Sequence, residues 1–477
     1  MNRFPSQKAN REPAQPKALT MPTYDAIIIG TGQSGPSLAR RLAAAGQKVA
    51  VIERKDFGGT CVNTGCTPTK TMVASAYAAH MARRAGDFGV TIRGPVGVDM
   101  AAVKARKDAV AGASRRAVER SLRTLGGCTV YDGHACFTGP GTVAVGDAEL
   151  GAERIFINVG GRALVPPIPG LDQIPYFTNS SIMDVDYLPT HLIILGGSYI
   201  GLEFAQTFRR FGSEVTVIEL APRLIPREDE DVSASIARFL DEEGINIEIG
   251  SKVIGVERRG NCIAVKTAAN GTMSQTLGTH LLLAIGRRPN TDDLGLDKAG
   301  VATDARGYIK VDDQLRTSVP GIWALGDCNG RGAFTHTSYN DFEIVAANLL
   351  DNEQRRVTDR ITAYALYTDP PLGRVGMTEA EVRESGRPAL IATMQMEDVS
   401  RAYERGETKG FMKVLVDQET KQILGASFLG LSGDEVVHCV LALMYAKAPY
   451  TVMQRAVHIH PTVSEFIPTM LGDLKPL

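Results

Sequence analysis

Apolar segments that end in glycine recur along the chain, and this pattern predicts buried strands. The first segment, at 24–29, is followed by a glycine-rich turn, a helix of small residues at 36–45 and a second apolar strand at 48–53. A strand, turn, helix and strand in this order are typical of a βαβ unit that binds a dinucleotide. The same order returns from 191–195 to 214–219. The pattern therefore predicts two such units.

The glycines of the first turn have separate tasks. Gly30 allows the tight turn, Gly32 lets a pyrophosphate approach the backbone, and Gly35 lets the helix pack closely on the strand. Glu53 ends the second strand, where its carboxylate can accept a hydrogen bond from a ribose hydroxyl. We therefore expect a dinucleotide on this turn.

The second turn departs from the pattern at one position. Gly196 and Gly201 keep the outer glycines, but Ser198 stands in the middle, where a Cβ must be tolerated near the phosphates. We still expect a nicotinamide dinucleotide here. Glu219 ends the next strand, where an acid bonds a ribose 2′-hydroxyl and repels a 2′-phosphate, so NADH is favoured over NADPH. Arg223 close behind offers an alternative contact to a phosphate.

Later apolar strands return the chain to the first domain. Strands at 154–161 and 281–290 contain closing glycines, and a third ends at Asp327, a carboxylate suited to a polyol hydroxyl. We therefore expect the first domain to be discontinuous. The last quarter of the chain has alternating segments such as 410–416 and an apolar helix at 435–446, which predict an antiparallel α+β domain.

Length and charge limit the function classes. A chain of 477 residues is expected to hold two to four domains. The formal net charge of -1 gives no reason to expect a nucleic-acid partner. No apolar run reaches the roughly 18 residues of a membrane helix. Residues 1–20 are rich in Pro, Gln, Lys and Asn and lack an apolar signal core, so we expect a disordered tail and a cytoplasmic protein.

Two cysteines, Cys61 and Cys66, stand on either side of a short turn, in a loop ahead of an Ala-rich helix at 72–81. If that helix begins near Pro68, Cys66 lies at its N-terminus, where the helix dipole and free N–H groups stabilise a thiolate. Such a pair can open and close a disulfide. The alternatives are two structural thiols or a metal site, although a metal site needs further ligands. Seven irregularly spaced cysteines fit a reducing compartment.

Four runs carry a resemblance to a known family. They are Gly-Gly-Thr-Cys-Val-Asn-Thr-Gly-Cys-Thr-Pro-Thr-Lys at 58–70, Gly-Arg-Arg-Pro-Asn at 286–290, Gly-Asp at 326–327, and His-Pro-Thr-Val-Ser-Glu at 460–465. In these runs the chain resembles the class I pyridine nucleotide-disulfide oxidoreductases, the flavoproteins that include glutathione reductase, dihydrolipoamide dehydrogenase and mercuric reductase. The resemblance extends over nearly the whole chain.

The resemblance implies FAD on the first βαβ unit, NAD(P)H on the second, and a homodimer formed through the C-terminal domain. We expect no resident metal ion, because the cysteine pair lacks the further ligands of a metal site. The residues expected to bind FAD are Gly30, Gly32, Gly35, Glu53, Gly59, Thr60, Lys70, Gly160, Arg287 and Asp327. Those expected to bind NAD(P)H are Gly196, Ser198, Tyr199, Gly201, Glu219 and Gly286. Among these, Tyr199 resembles the aromatic gate over the nicotinamide pocket in glutathione reductase.

We therefore expect an α/β protein with two Rossmann-like domains, one for FAD and one for NAD(P), and a C-terminal α+β dimerisation domain. The expected bounds are 1–20 for the tail, 21–162 and 287–352 for the FAD-binding domain, 163–286 for the NAD(P)-binding domain and 353–477 for the dimerisation domain.

The resemblance also implies catalytic roles. Cys61 is expected to exchange with substrate and Cys66 to be the thiolate beside the flavin, while Lys70 and Glu203 form an ion pair nearby. His460 and Glu465 are expected to come from the partner subunit.

A proton donor also follows from the chemistry of exchange. A departing thiolate needs a proton, and a histidine oriented by a carboxylate can supply one near neutral pH. His460 fits this role, with Glu465 as the carboxylate. Two alternatives remain: His458 and His460 as ordinary polar residues at a domain edge, and a metal site built from His438, Cys439, His458 and His460.

Three classes of substrate fit a reactive dithiol of this kind. We expect reduction of a small disulfide through Cys61 and Cys66, with reduction of Hg(II) or another soft metal ion as the alternative and dihydrolipoamide oxidation as the third. The final residues lack the paired cysteines of mercuric reductase, although the runs at 158–162 and 335–341 look most like mercuric reductase-like proteins. Two other functions are less favoured than these three. One is a role as a binding component of a larger complex, and the other is that of an oxidase that cycles one cysteine.

Overall fold

The computed structural model describes residues 21–477, so the expected N-terminal tail lies outside the described residues. The helices are α1 Ser34–Ala44, α2 Gly59–Asn63, α3 Cys66–Arg83, α4 Met100–Arg123, α5 Tyr199–Phe211, α6 Glu230–Glu242, α7 Leu296–Ala299, α8 Thr335–Leu350, α9 Glu379–Glu384, α10 Ser400–Glu404, α11 Gly433–Tyr445, α12 Thr451–Gln454 and α13 Phe466–Gly472.

The strands are distributed along the whole chain between these helices. They are β1 Thr23–Ile29, β2 Val49–Glu53, β3 Cys128–Asp132, β4 Ala135–Gly139, β5 Thr142–Val145, β6 Ala148–Ile157, β7 Gly161–Ala163, β8 Phe177–Thr178, β9 His191–Leu195, β10 Glu214–Ile218, β11 Asn246–Glu248, β12 Lys252–Arg259, β13 Cys262–Ala269, β14 Thr272–Gly278, β15 His280–Leu283, β16 Arg287–Pro289, β17 Ile322–Ala324, β18 Ala363–Leu366, β19 Leu372–Gly376, β20 Ala389–Gln395, β21 Phe411–Asp417, β22 Ile423–Leu429 and β23 Lys475–Pro476.

A seven-stranded sheet forms the first layer. Its order is β3-β2-β1-β6-β5-β4, with β17 paired to β6. Strands β3, β2, β1, β6 and β17 form the parallel part of this sheet, with Ile28 of β1 opposite Val51 and Phe156. Strand β5 pairs antiparallel with both β6 and β4. Because β17 comes from a segment more than 160 residues after β6 in sequence, the chain returns to this sheet after building the second one.

The second sheet has five parallel strands in the order β11-β10-β9-β15-β8. Its central strand β9 is buried, as is most of α5, which packs against it through Leu202, Phe204 and Phe208. A separate three-stranded antiparallel sheet, β12-β13-β14, lies between β11 and β15 in sequence. The repeated strand, turn, helix and strand order is therefore present twice, and the α/β fold class is confirmed.

The C-terminal part holds a six-stranded sheet in the order β18-β19-β22-β21-β20-β23. The pairs β18–β19, β19–β22, β21–β22 and β20–β21 are all antiparallel. Helix α11 packs on this sheet through Val436, Val437 and Val440. This matches the alternating pattern that predicts an α+β domain.

Helix α3 begins at Cys66, two residues before Pro68, so Cys66 lies at the N-terminus of a helix as expected. One local prediction is wrong at the cysteine segment. Cys61 lies not in a loop but in the short helix α2. Helix α4 is 24 residues long, and only its Met100, Lys107 and Leu122 are buried. It also escapes prediction from the sequence, because its alanines and charged residues give little periodic signal. Among the described residues, no helix is both long and apolar enough to cross a membrane.

Candidate active site

A cleft of about 330 Å³ opens at the carboxyl ends of β1 and β2. It is lined by the first glycine turn, the segment around Cys61 and Cys66, the end of β6 and the start of α8. Ligands of open parallel sheets bind at this edge, where adjacent connections leave in opposite directions and open a crevice. The cleft therefore unites segments that lie up to about 300 residues apart in sequence.

Glycines in and beside the first turn leave no space for a Cβ. Gly30 has φ +100°, and a Cβ there would lie 2.3 Å from the Asn158 carbonyl oxygen. A Cβ on Gly35 would lie 2.4 Å from the Gly30 carbonyl oxygen. Gly59, with φ +62°, would place a Cβ 2.9 Å from the Gly32 Cα. The cysteine segment is thus packed directly on the glycine turn.

Glu53 holds the same turn. Its Oε2 accepts hydrogen bonds from Thr31 N at 3.0 Å and from Thr31 Oγ1 at 2.6 Å, and its Oε1 accepts from Lys55 N at 3.0 Å. Thr31 Oγ1 in turn accepts from Gly58 N at 3.0 Å. The carboxylate therefore lies at the cleft and fixes the turn, in the place expected for a ribose contact.

A second carboxylate, Asp327, lies across the cleft from that turn, after β17. Burial raises its pKa, against the opposing effect of the Arg287 guanidinium, whose Nε lies 3.5 Å from Asp327 Oδ2. Arg287 also donates to the Gly161 carbonyl oxygen at 2.5 Å and to Thr60 Oγ1 at 3.5 Å. At Gly160, which has φ +64°, an added Cβ would meet no atom within 4 Å, and the Gly160 carbonyl oxygen accepts from Asn290 N at 3.0 Å.

The residues present fit FAD. The glycine turn is a cradle that a Cβ would fill, and the buried Asn158 has an Nδ2 without a hydrogen-bond partner. Asn158 lies beside Gly32 and Gly35, because Cβ atoms built there would be 3.3 Å and 3.1 Å from its Nδ2. A buried amide donor is costly to leave unpaired, so a ligand acceptor at this turn would satisfy it.

The two cysteines are free thiols at the mouth of the cleft. Cys66 Sγ lies 3.1 Å from Thr335 Oγ1, at the first residue of α8. The Cys61 thiol lowers the pKa of Cys66 to about 6; Thr335 and the Lys70 charge act in the same direction, and burial opposes them. The same contact with Cys66, together with burial, raises the pKa of Cys61. The contact between the two thiols therefore favours a thiolate on Cys66 over one on Cys61.

Lys70 and Glu203 form an ion pair beside these thiols. Lys70 Nζ lies 2.7 Å from Glu203 Oε2, and the Glu203 side chain is only 6% exposed. Glu203 Oε1 accepts from Tyr367 N at 3.1 Å, and Lys70 Nζ lies 4.6 Å from the centre of the Tyr367 ring. The lysine is thus held on two sides, by a buried carboxylate and by an aromatic face.

The second glycine turn repeats the first. A Cβ on Gly196, at φ +112°, would lie 2.5 Å from the Ala284 carbonyl oxygen, and one on Gly201 would lie 2.0 Å from the Gly196 carbonyl oxygen. Ser198 has φ −105° and ψ −176°, an extended backbone that any residue adopts. Its Cβ therefore costs no backbone strain, which explains how serine replaces the middle glycine.

Glu219 directly follows β10, the second strand of this unit, and so corresponds to Glu53, the last residue of β2 in the first unit. Its Oε2 accepts from Gly197 N at 2.6 Å and its Oε1 from Ala221 N at 2.7 Å. Arg223 lies on the next turn, where its Nη2 donates to the Pro226 carbonyl oxygen at 3.1 Å. Gly286, with φ +136°, accepts from Leu164 N at 3.0 Å through its carbonyl oxygen, where the chain leaves β15 for β16.

Tyr199, the first residue of α5, lies in an aromatic cluster. Its ring centre is 5.6 Å from that of Phe334 and 6.2 Å from that of Tyr364. Phe334 is stacked on Tyr364 at 5.5 Å and on His336 at 5.3 Å. The cluster thus joins the second glycine turn to the N-terminus of α8, which carries Thr335.

His460 and Glu465 are brought together, but not at the cleft. His460 Nδ1 lies 3.1 Å from both carboxylate oxygens of Glu465, and the histidine side chain is 76% exposed. Neither residue lines the cleft that holds Cys61 and Cys66. Within one subunit the histidine is therefore oriented by its carboxylate and faces outward.

The described residues contain no group of three or more His, Cys, Asp or Glu side chains that could hold a metal ion, including at His438, Cys439 and His458.

Sequence reasoning missed several residues of the site. Asn158, Thr335, Tyr364 and Tyr367 come from segments more than 90 residues away from the cysteines, and no local spacing rule connects them. One feature of the sequence could have indicated Thr335: it is the first residue of a helix, and the segment before it contains Gly330 and Gly332.

Comparison with known proteins identifies the class of site. A family model described as pyridine nucleotide-disulphide oxidoreductase matches residues 24–341, and the model of its dimerisation domain matches residues 362–471. The probable pyridine nucleotide-disulfide oxidoreductase RclA of Escherichia coli is 37% identical over 463 residues, which cover 95% of this chain and 100% of that protein.

Other relatives have different named activities. A mercuric reductase of Streptomyces lividans is 34% identical, with 93% of this chain and 94% of that protein covered. A dihydrolipoyl dehydrogenase of Thermus scotoductus is 31% identical, with 93% and 96% covered. The solved copper(II) complex of the HOCl-induced flavoprotein disulfide reductase RclA from Escherichia coli superposes with a TM-score of 0.87 at 36% identity, covering 95% of this chain and 99% of that one.

Proposed function

Because the chain belongs to the pyridine nucleotide-disulfide oxidoreductases, flavoproteins that use FAD and NAD(P)H, we propose that it reduces a small disulfide through Cys61 and Cys66. The observation that carries this proposal is the placement of two free thiols in one cleft: Cys66 lies at the N-terminus of α3 with its Sγ 3.1 Å from Thr335 Oγ1, and Cys61 lies in the preceding helix α2. The contact between the two thiols lowers the pKa of Cys66 and raises that of Cys61, which favours a thiolate on Cys66.

The cofactor sites follow the two glycine turns. Gly30, Gly32, Gly35, Glu53, Gly59, Thr60, Lys70, Gly160, Arg287 and Asp327 would hold FAD, which supplies a two-electron relay between NAD(P)H and the Cys61–Cys66 disulfide when it is bound. Gly196, Ser198, Tyr199, Gly201, Glu219 and Gly286 would hold the nicotinamide dinucleotide. Glu219 supports NADH as the preferred donor, because its carboxylate would bond a free ribose 2′-hydroxyl and repel a 2′-phosphate.

Exchange then proceeds in two displacements. A base first removes the proton from Cys61. The Cys61 thiolate then attacks one sulfur of the substrate disulfide and forms a mixed disulfide with it. The other substrate sulfur leaves as a thiolate and takes the proton back from the base. The Cys66 thiolate attacks the Cys61 sulfur, the Cys61–Cys66 disulfide closes, and the second thiolate leaves. Two electrons pass from the dithiol to the substrate, and NAD(P)H restores them.

The base in this scheme is His460 of the partner subunit. A histidine accepts and returns a proton near neutral pH, and one nitrogen of its ring is already held by Glu465. The dimerisation domain supports a homodimer, and the position of His460 away from its own cleft supports donation across the interface. Each site would then be complete only in the dimer.

The domain bounds are part of the same proposal. We assign 21–162 and 287–352 to FAD, 163–286 to NAD(P) and 353–477 to dimerisation. The seven-stranded sheet supports the split FAD-binding domain, because β17 returns to it from the second of those two segments.

Reduction of a soft metal ion is the second candidate. Two free thiols at a cleft mouth are good ligands for soft cations. Relatives include mercuric reductases, and RclA has been solved as a copper(II) complex. In this reading Hg(II) or Cu(II) takes the place of the disulfide as the electron acceptor.

One panel of assays separates these activities. The FAD-loaded protein is given NADH or NADPH with lipoamide, glutathione disulfide, other small disulfides, thiol-buffered Hg(II) or Cu(II), and dihydrolipoamide with NAD⁺ is run in the opposite direction. Turnover of one disulfide that collapses in His460→Ala is the result we expect. Turnover of metal ions alone, indifferent to His460→Ala, would replace the disulfide with the metal ion as substrate. Faster oxidation of dihydrolipoamide than reduction of any disulfide would reverse the proposed direction.

A further inference from the structure

A buried ion cluster joins the nucleotide-binding part of the chain to the C-terminal sheet. Glu228 and Asp229 precede α6, while Arg374 lies on β19 and Lys413 on β21. The four residues are 2%, 7%, 1% and 1% exposed, respectively. Arg374 Nη2 lies 2.9 Å from Asp229 Oδ2 and 3.1 Å from Glu228 Oε2. Lys413 Nζ lies 3.2 Å from Asp229 Oδ2.

The charges fix Glu228 and Asp229 in place. Burial works against both carboxylates, but Arg374 and Lys413 outweigh it at Asp229, so the pKa of Asp229 lies below its usual value. Glu228 is more deeply buried, and burial raises its pKa. A carboxyl group buried this deeply depends on each hydrogen bond it receives, because a buried polar group that loses its partner costs more free energy than an exposed one.

Tyr364 supplies one of those hydrogen bonds. Its hydroxyl donates to Glu228 Oε1. Its ring is stacked on Phe334 with an interplanar angle of 6°, and Tyr199 packs against both rings. The Tyr364 hydroxyl and the rings of Tyr364, Phe334 and Tyr199 thus form a continuous series of contacts between the ion cluster and the second glycine turn. Rotation of the Tyr364 side chain would break its bond to the buried carboxyl group and remove the support of Phe334.

We propose that Tyr364 is a positioning residue for the nicotinamide dinucleotide: its hydroxyl, held by Glu228, fixes the Phe334 and Tyr364 rings as a rigid wall behind Tyr199. This inference rests on the proposed role of Tyr199 at the nicotinamide pocket. Because the Phe334 and Tyr364 rings are already fixed, less conformational entropy is lost when Tyr199 is ordered against the bound dinucleotide. In this role Tyr364 touches neither dinucleotide nor thiol and acts through Tyr199.

The test removes only the hydroxyl. Tyr364→Phe keeps the ring and its stacking but loses the bond to Glu228. We expect the KM for NADH or NADPH, whichever the wild type prefers, to rise roughly threefold or more, with kcat nearly unchanged. Tyr187→Phe is the matched control, because Tyr187 also loses one side-chain hydrogen bond, to His280, at a half-exposed position away from the cluster.

A double-mutant cycle decides whether Tyr364 acts through Tyr199. In a Tyr199→Ala background, Tyr364→Phe should have no further effect on KM or on the dissociation constant of the dinucleotide measured by titration of the FAD-loaded protein. Independent, multiplicative effects of the two substitutions would overturn the inference, as would an unchanged or lowered KM in Tyr364→Phe alone.

The cycle also separates this inference from the proposed function. If Tyr199→Ala alone leaves dinucleotide binding unchanged, the assignment of Tyr199 itself fails. If Tyr199→Ala weakens binding while Tyr364→Phe does not, only the positioning role of Tyr364 fails. Glu228→Gln tests the same bond from its other end, since the amide oxygen can still accept from Tyr364. It should therefore stay closer to wild type in KM than Tyr364→Phe, and a KM as high as that of Tyr364→Phe would count against the bond.

Discussion

Lys70 Nζ lies 2.7 Å from Glu203 Oε2, and this ion pair joins α3, which begins at Cys66, to α5, which begins at Tyr199. The lysine is one third exposed while the carboxylate is almost fully buried. The pair therefore ties the thiol segment to the second dinucleotide turn and places a positive charge beside Cys66.

Removal of Glu203, the buried member of this ion pair, should lower the stability of the protein. In Glu203→Ala, Lys70 loses its carboxylate and Tyr367 N loses its acceptor, so we expect a loss of about 1–3 kcal/mol in stability and a clear fall in disulfide turnover. The matched control is Glu242→Ala, which breaks the ion pair with Lys409 at 2.5 Å, where both side chains are nearly half exposed. An exposed pair of this kind is worth at most about 1 kcal/mol. Denaturant midpoints of the two variants give the comparison, and equal losses would contradict the role assigned to Glu203.

The Cys66 thiolate should form at unusually low pH. Its pKa of about 6 means that the thiolate fraction rises as pH increases through 6 and is nearly complete at neutral pH. We expect the rate at which iodoacetamide modifies Cys66 to follow this curve. The measurement uses Cys61→Ser, whose hydroxyl can still donate to Cys66. A half-maximal rate near pH 8.5, roughly the value of an ordinary thiol, would show that the surroundings do not stabilise the thiolate.

Thr335→Val tests one cause of that low pKa. The substitution removes the hydroxyl at 3.1 Å from Cys66 Sγ and nearly preserves the shape of the side chain. The pH of half-maximal modification should move upward by roughly 0.5–1 unit, since one hydrogen bond to the charged form is lost. Thr393→Val, at an exposed position on β20, serves as the control. Identical pH profiles in the two variants would exclude Thr335 as a contributor.

The coenzyme preference depends on Glu219. Glu219→Ala should weaken NADH more than NADPH, lowering the NADH-to-NADPH ratio of kcat/KM by about tenfold, because a ribose acceptor and a charge that repels a 2′-phosphate are both lost. Since Glu219 also accepts from Gly197 N and Ala221 N, part of the loss should affect both coenzymes. Glu214 begins β10, the strand that Glu219 follows, and its side chain is 75% exposed, so Glu214→Ala should leave the ratio unchanged. Equal losses for the two coenzymes in Glu219→Ala would leave no basis for an NADH preference.

The first glycine turn should tolerate no side chain. A Cβ on Gly35 would meet the Gly30 carbonyl oxygen at 2.4 Å, so Gly35→Ala must displace the turn that we assign to FAD. We expect this variant to be purified with much less FAD than wild type. Gly97→Ala adds the same atom where no neighbour lies within 4 Å and should keep its full flavin content. Full occupancy in Gly35→Ala would mean that FAD does not depend on this turn.

The sequence predicts those parts of the molecule that depend on short-range spacing. Both βαβ units are predictable because part of the glycine requirement is local. Gly35 and Gly201 pack on the carbonyl oxygens of Gly30 and Gly196, five residues earlier, whereas Gly30 and Gly196 themselves pack on the distant Asn158 and Ala284 carbonyl oxygens. Ser198 is the exception, since only the backbone angles show that an extended residue needs no glycine.

Other parts depend on contacts between distant segments. Thr335 reaches Cys66 across 269 positions and Tyr364 reaches Glu228 across 136, and packing of whole domains decides such pairs. The sequence also predicts the start of α3 near Pro68, two residues late, because Pro68 suits the first residue of a helix. Proline is equally tolerated at the third position, where its missing N–H also has no helical acceptor.

The central claim is that Cys61 carries electrons from NAD(P)H to a disulfide by thiol exchange. The most direct measurement compares wild type and Cys61→Ser for two rates: reduction of bound flavin by NADH or NADPH, and turnover of the best disulfide found in the substrate panel. We predict that flavin reduction survives in Cys61→Ser while disulfide turnover is abolished. Disulfide turnover at the wild-type rate in Cys61→Ser would contradict the claim.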